Sequence, residues 1–298
     1  MIHFAKTTSK NYRLVQKQIL KLISVHLPKF SWSESYEYEE GKLNFSLFIH
    51  QKSDVLMSHG AADKNYHWRK DANNPQHFLS HVKGRKHIFV PGPWLKNRII
   101  RSKELAFSED QVHVVGWPRL DHLINASRVA KKKKNKSVLW APTHDYVRGG
   151  KLSSYPEFQQ YIPKLSTKYD VNISVHPRNR KKKLPTGDLL LDSDVVVSDT
   201  GTMVYEALAL GKQVIFPDWI VLEPILNFMP NCAERVIFEA RHGLHASSIE
   251  EMIEMIEVNT KIDEQAEKFF DSYLPSTTHG RSGKIIAEKL LELDSSTI

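Results

Sequence analysis

Short apolar runs alternate with longer segments in which apolar residues recur every three or four positions, over most of the chain. The first kind reads as buried strands and the second as amphipathic helices, and their alternation predicts parallel sheets covered by helices. In the first half, strands are expected at IHFA, LNFSLFI, DVLMS, HIFVPG and VHVVG, and helices at KNYRLVQKQILKLISVHL and PWLKNRIIRSKEL. FSWSESYEYEE alternates aromatic and polar residues, which suits an edge strand or a hairpin. The second half repeats the alternation, with strands SVLWAP, VNISVH, DVVVSD and QVIFP and helices YPEFQQYIPKLSTKY and TMVYEALALG. Two amphipathic helices near 247–258 and 262–273 follow, then a last one, GKIIAEKLLEL.

Between the halves, SRVAKKKKNK has little to bury, and a domain junction is expected there, near residue 130. Residues 1–130 and 131–298 then form two Rossmann-like, doubly wound α/β domains, the last helix crossing back to the first. Two such domains facing one another leave a cleft at the carboxyl ends of their strands, where ligands bind in folds of this kind.

Composition narrows the picture. The chain of 298 residues carries a formal net charge of +8, which favours an anionic partner without choosing among nucleotide, nucleic acid, acidic polymer and membrane surface. A single cysteine, Cys232, excludes an internal disulfide framework and fits a reducing compartment, so a cytoplasmic location is expected. The opening residues lack the pattern of a secretory leader. The most apolar stretch, VIFPDWIVLEPILNFM, is broken by Asp218, Glu223 and two prolines, which leaves only peripheral membrane contact.

Candidate chemistry clusters at the expected strand ends. In DVVVSDTGTMVYEALALG a strand enters a small, hydroxyl-rich turn, Ser198, Asp199, Thr200, Gly201 and Thr202, and a helix begins at once. Such a helix start suits a phosphate, although Ser, Asp and Thr also serve there as plain caps. Glu206 lies one turn on, within reach of a ribose hydroxyl or of a salt-bridge partner. In ISVHPRNRKKK, His176 and Arg178 follow a strand and suit a diphosphate leaving group, while the lysines read as a solvated loop. In DVLMSHGAADKNY, His59 precedes Gly60, and a histidine at a strand end is either a general base or a strand cap; Asp63 and Lys64 follow in the same segment. VVGWPRLDHL carries Arg119 and Asp121, the latter expected to cap the helix that follows, and LWAPTHD ends a strand at Pro142 and Thr143. His77 and His81 have metal-like spacing without an HExxH glutamate, so no metal site is expected; Walker, GxGxxG and GxSxG motifs are absent.

Taken in order, SHG, VVGWPRLDHL, VLWAPTHD, ISVHPR, DSDVVVSDTGT with EALALGKQVIF, and HGRSGKIIAEKL resemble the CDP-glycerol glycerophosphotransferase family of teichoic acid and capsule polymer transferases, from about residue 54 to 293. The resemblance implies a GT-B fold and a nucleotide-diphosphate donor on the second domain, with no cofactor beyond that substrate. It implies His59 as the catalytic base; Gly60, Asp63, Lys64 and Arg119, in the same half of the chain, are expected on the acceptor side. It implies His176 and Arg178 on the donor phosphates and Ser198, Thr200, Gly201 and Thr202 on the pyrophosphate; Asp199, Glu206, Pro142 and Thr143 join the donor side by their positions in the chain. The implied acceptor is an anionic envelope polymer met at the cytoplasmic membrane face. The chain departs from the family pattern at Ser58, at AAD after the first HG, and at DTGT where DYSS is common. EALALGKQVIF also looks like the donor helix of nucleotide-sugar glycosyltransferases and epimerases, so the transferred group is a glycosyl or a phospho-alditol. Two rival readings stay open: a phage-type DNA glycosyltransferase acting on hydroxymethylated bases, and an inactive nucleotide- or polymer-binding module.

Overall fold

A computed structural model describes residues 1–10, 12–62, 82–127, 135–143, 152–176, 186–228 and 232–296. Their contacts divide them into two units, residues 1–62, 82–124 and 271–296 in one and 125–270 in the other. Asp63, Lys64, His77, His81, Arg178 and the lysine-rich stretch at the expected junction lie outside the described residues.

The first unit is built on six parallel strands: β1 (Ile2–Ala5), β2 (Trp32–Ser35), β3 (Leu43–Ser46), β4 (Val55–Met57), β5 (His87–Val90) and β6 (Val112–Val114), in the order β2-β1-β3-β4-β5-β6. Around them lie α1 (Arg13–Ser24), α2 (Pro93–Arg101) and α3 (Pro118–Ser127). The segment FSWSESYEYEE supplies β2, a parallel edge strand and not a hairpin. β1, β3 and β4 are buried at every position, the mark of strands covered on both faces.

The second unit has five parallel strands in the order β11-β10-β9-β7-β8. In chain order it comprises β7 (Ser137–Trp140), α4 (Ile162–Ser166), β8 (Asp170–Ile173), α5 (Thr186–Leu191), β9 (Val195–Val197), α6 (Thr202–Ala209), β10 (Gln213–Pro217), α7 (Asp218–Phe228), α8 (Ala233–Glu239), β11 (Leu244–Ala246) and α9 (Ile249–Glu257). Its core joins Val138, Trp140, Phe158, Val197, Ile215 and Met252 across both layers. The expected helix over YPEFQQYIPKLSTKY is instead a short 3-10 turn, Glu157–Tyr161, followed by α4. Pro163 stands in the first turn of α4, where its missing N–H costs nothing, whereas inside one continuous helix it would remove a backbone hydrogen bond.

α10 (Glu264–Tyr273) and α11 (Ser282–Ser295) end the chain, and α11 packs on α1, β1 and β3 of the first unit. Asp121 fixes it there: its Oδ1 accepts from the Ser282 N–H at 3.0 Å and its Oδ2 from the Gly283 N–H at 2.7 Å. It thus caps α11 and not the helix it was expected to start. The Trp117 N–H donates to Ser282 Oγ at 3.0 Å, and Gly116, at φ 76°, comes so close that a Cβ there would lie 2.3 Å from that oxygen. GWPRLD and HGRSGK are therefore two halves of one joint.

Away from these ends, His113 and His87 meet side by side on β6 and β5, with Nε2 of one 3.2 Å from Nδ1 of the other. Burial, and then the His87 neighbour, push His113 down from 6.5 to about 4. A base that the fold keeps neutral contributes stability that is full above its unfolded value and is lost as pH falls from about 6.5 toward 4. Urea melts of wild type and His113→Phe at pH 7 and pH 5 should show a smaller acid loss in the variant; equal losses would remove His113 from the acid limb.

Candidate functional site

At the carboxyl end of β9 the chain turns inward before it turns out. Ser198 is wholly buried, and its hydroxyl donates to the Ala141 carbonyl at 2.7 Å, tying the end of β9 to the end of β7. Asp199, 1% exposed, gathers the turn around its carboxylate. Oδ1 accepts from the N–H groups of Thr143 at 2.7 Å and Thr200 at 2.6 Å, and Oδ2 from the Ser154 N–H at 2.7 Å and its hydroxyl at 3.1 Å. Ser153 Oγ closes the ring by donating to the Thr143 carbonyl at 2.8 Å. A buried carboxylate is tolerated only with such donors, so the anion and the three loops hold each other in place.

The outward half of the turn begins at Gly201, whose φ of 106° and ψ of −178° belong to glycine. A Cβ built there meets nothing within 4 Å among the described residues, so the backbone faces open space. α6 starts at the next residue with no side-chain cap, and its first N–H groups present the positive end of the helix. The turn is thus no ordinary capped helix start. Thr202 is partly exposed beside this opening, and Glu206 is wholly buried one turn on. Pro142 and Thr143 form the neighbouring rim through the Asp199 ring. His176 is half-buried beyond the end of β8, whose continuation is held by the Ser174 N–H on the Trp140 carbonyl at 2.8 Å.

In the first unit, β4 delivers Ser58, His59 and Gly60 to the carboxyl edge of its sheet. The Gly60 N–H donates to Ser58 Oγ at 3.1 Å, and Tyr273 holds the same turn through the Ala61 carbonyl at 3.1 Å. The His59 ring lies in an aromatic box: Phe48 stacks on it at 5.0 Å and 26°, and Tyr12 meets it at 5.2 Å and 63°. Phe48 belongs to the loop after β3, and buried Arg85 staples that loop by donating to the carbonyls of Ile49, Gln51 and Ser53. An imidazole so oriented presents its ring nitrogens in a fixed plane, as a proton acceptor requires. Arg119 is half-buried in the first turn of α3, next to the α11 joint.

A second polar group stands at the end of β10, where Asp218 accepts from His245 Nδ1 at 2.8 Å and from Arg241 at 3.1 Å. Phe216 stacks under His245 at 4.8 Å. This group, Arg85, Tyr12, Phe48 and the Ser153–Ser154 pair went unnoticed in the sequence. Only the small, polar LSSYP segment offered a local signal. No set of three or more metal-ligating side chains occurs among the described residues.

No family model and no curated protein sequence matches the chain. By structure it is similar to the wall teichoic acid polymerase TagF, with a TM-score of 0.67 and 13% identity over 99% of this chain and 89% of that one. A TagF variant soaked with CDPG gives a TM-score of 0.67 at 12% identity over 100% and 90% of the two chains. The UDP-GlcNAc 2-epimerase from Neisseria meningitidis, bound to UDP-GlcNAc, gives 0.52 at 15% identity over 98% and 99%. These likenesses establish the fold, two parallel-sheet α/β units of GT-B type.

Gly201→Ala tests the turn itself. The added methyl meets no atom within 4 Å among the described residues but forces a glycine conformation on alanine, so stability should fall by about 1–3 kcal/mol in denaturant melts. An unchanged stability would show that the turn adopts another backbone.

Proposed function

We propose that the chain is a GT-B transferase that moves a glycosyl or phospho-alditol group from a nucleotide-diphosphate donor to a hydroxyl of an anionic envelope polymer. The observation that carries this reading is the uncapped start of α6 behind Gly201, held open by the Asp199 ring. Backbone N–H groups fixed in advance stabilise a diphosphate without reorganising as charge develops on it. In this reading the phosphates lie against Gly201 and Thr202, with Thr143 and Pro142 on the rim, while Glu206, wholly buried, does not reach the ribose it was expected to hold. Ser198 and Asp199 build the cradle from within. His176 and Arg178 take up the charge of the departing nucleotide.

His59 accepts the proton of the acceptor hydroxyl. The oxygen forms its new bond to the donor's anomeric carbon or phosphorus, and the bond to the nucleotide breaks with its electron pair left on phosphate. Gly60, Asp63, Lys64 and Arg119 serve the acceptor. The compounds named with the similar structures, CDPG for TagF and UDP-GlcNAc for the epimerase, support a nucleotide-linked donor for this fold.

A thermal-shift panel of CDP-, UDP-, GDP- and ADP-linked donors tests the reading. One class should raise the midpoint, and His59→Ala should keep that shift while losing turnover by about 100-fold or more. Stabilisation by none of the donors would end the transferase reading. A shift with His59→Ala turning over like wild type would end the assignment of the base.

A further inference from the structure

Tyr273 is wholly buried at the end of α10, with its ring 5.6 Å from that of Trp94. Phenylalanine would fill the same space. What it would lack is the hydroxyl, which donates to the Ala61 carbonyl at 3.1 Å, 212 positions back in the chain. β4 ends at Met57, so this carbonyl lies beyond the last pairing with β5, and Ala61 is 1% exposed. A buried carbonyl past the end of its strand needs a donor, and a side chain from the far end of the sequence brings it.

Between the end of β4 and that bond lie Ser58, His59 and Gly60. The Gly60 N–H on Ser58 Oγ closes the turn, and the Tyr273 hydroxyl fixes its exit. Phe48 and Tyr12 meet the ring of His59; Tyr273 acts on the backbone that carries it.

Tyr273 is itself firmly seated. Just after it, the Ser276 N–H donates back to Asp271 Oδ1 at 2.8 Å, and the N–H and hydroxyl of Thr278 both donate to the Pro275 carbonyl, at 2.9 and 2.8 Å. The Tyr273 carbonyl lies so close to Gly92, before α2, that a Cβ there would be 2.2 Å from it. Thr278 crowds Gly116 in the same way, at 2.6 Å, so the support of Tyr273 is continuous with the joint that Asp121 closes.

We propose that Tyr273 is the positioning residue for His59, holding the exit of its turn so that the imidazole meets the acceptor hydroxyl in line. The inference rests on His59 being the base of the reaction proposed above. Proton transfer needs a ring nitrogen within hydrogen-bond reach of that hydroxyl, and a misplacement of about 1 Å costs about 100-fold in rate. Ring contacts set the plane of the imidazole, but its place along the cleft edge follows the backbone.

NMR of the full chain with labelled histidine tests the placement without any donor. The His59 ring signal, assigned by its loss in His59→Ala, lies in the ring currents of Phe48 and Tyr12 and so reports small displacements. Tyr273→Phe should shift or split it, while His242 and His245 in the other unit keep their signals. Tyr169→Phe, which deletes a hydroxyl bonded to Glu257 at 2.6 Å in that other unit, should leave His59 unmoved. Assayed with CDP-glycerol and with UDP-GlcNAc, Tyr273→Phe should lower kcat about tenfold at an unchanged KM for the donor, and Tyr169→Phe should match wild type. An unmoved His59 signal in Tyr273→Phe, or a moved signal with wild-type kcat, would overturn the proposal. A moved signal with neither donor turned over by wild type would uphold the placement and count against the transferase reading alone.

Discussion

The Asp199 carboxylate lies beneath the turn that ends β9, and N–H groups from three separate segments, Thr143, Ser154 and Thr200, converge on it. An anion in that position would cost several kcal/mol if its donors were absent. The same cost makes it an organiser, because the loops after β7 and β9 and the segment at Ser153–Ser154 cannot move apart without stranding a buried charge. Two consequences follow outward. Gly201 is carried into its mirror-image conformation above the anchored carboxylate, and α6 begins at the next residue with no side-chain cap from its N-cap position. What the second unit exposes at this turn is therefore backbone, fixed in place by a side chain that faces the interior.

The first unit achieves rigidity by other means. His59 is held by ring contacts with Phe48 and Tyr12, and Phe48 is held by a loop whose carbonyls are bound by Arg85. Stacking fixes the plane of the imidazole. At the far end of the chain, Asp121 fastens α11 to the same unit by capping it from outside, so the last helix closes over β1 and β3.

Much of this architecture is legible from periodicity. The short apolar strands β1, β5, β7, β9 and β10 stand where the runs place them, because strands covered on both faces must be apolar throughout. β11 escaped notice because three residues, Leu244–Ala246, with a histidine in the middle, make no pattern. At the site, the position of the SDTGT turn at a strand-to-helix junction is readable, but the direction of each side chain is not. Ser198 and Asp199 point inward because Ala141, Thr143 and Ser154 wait there, partners between 45 and 57 positions away in sequence. The aromatic box and Arg85 are likewise assemblies of distant residues. No local spacing encodes them.

The central claim is that one carboxylate holds three segments together, and backbone amide exchange in Asp199→Asn tests it most directly. Asparagine keeps the shape but replaces one acceptor oxygen with a donor, so it cannot receive the full set of N–H groups. Amides of Thr143, Ser154 and Thr200 should lose protection together, by a common factor, while those of β1 and β3 in the other unit keep theirs. Loss at Thr200 alone, with Thr143 and Ser154 as protected as in wild type, would contradict the account.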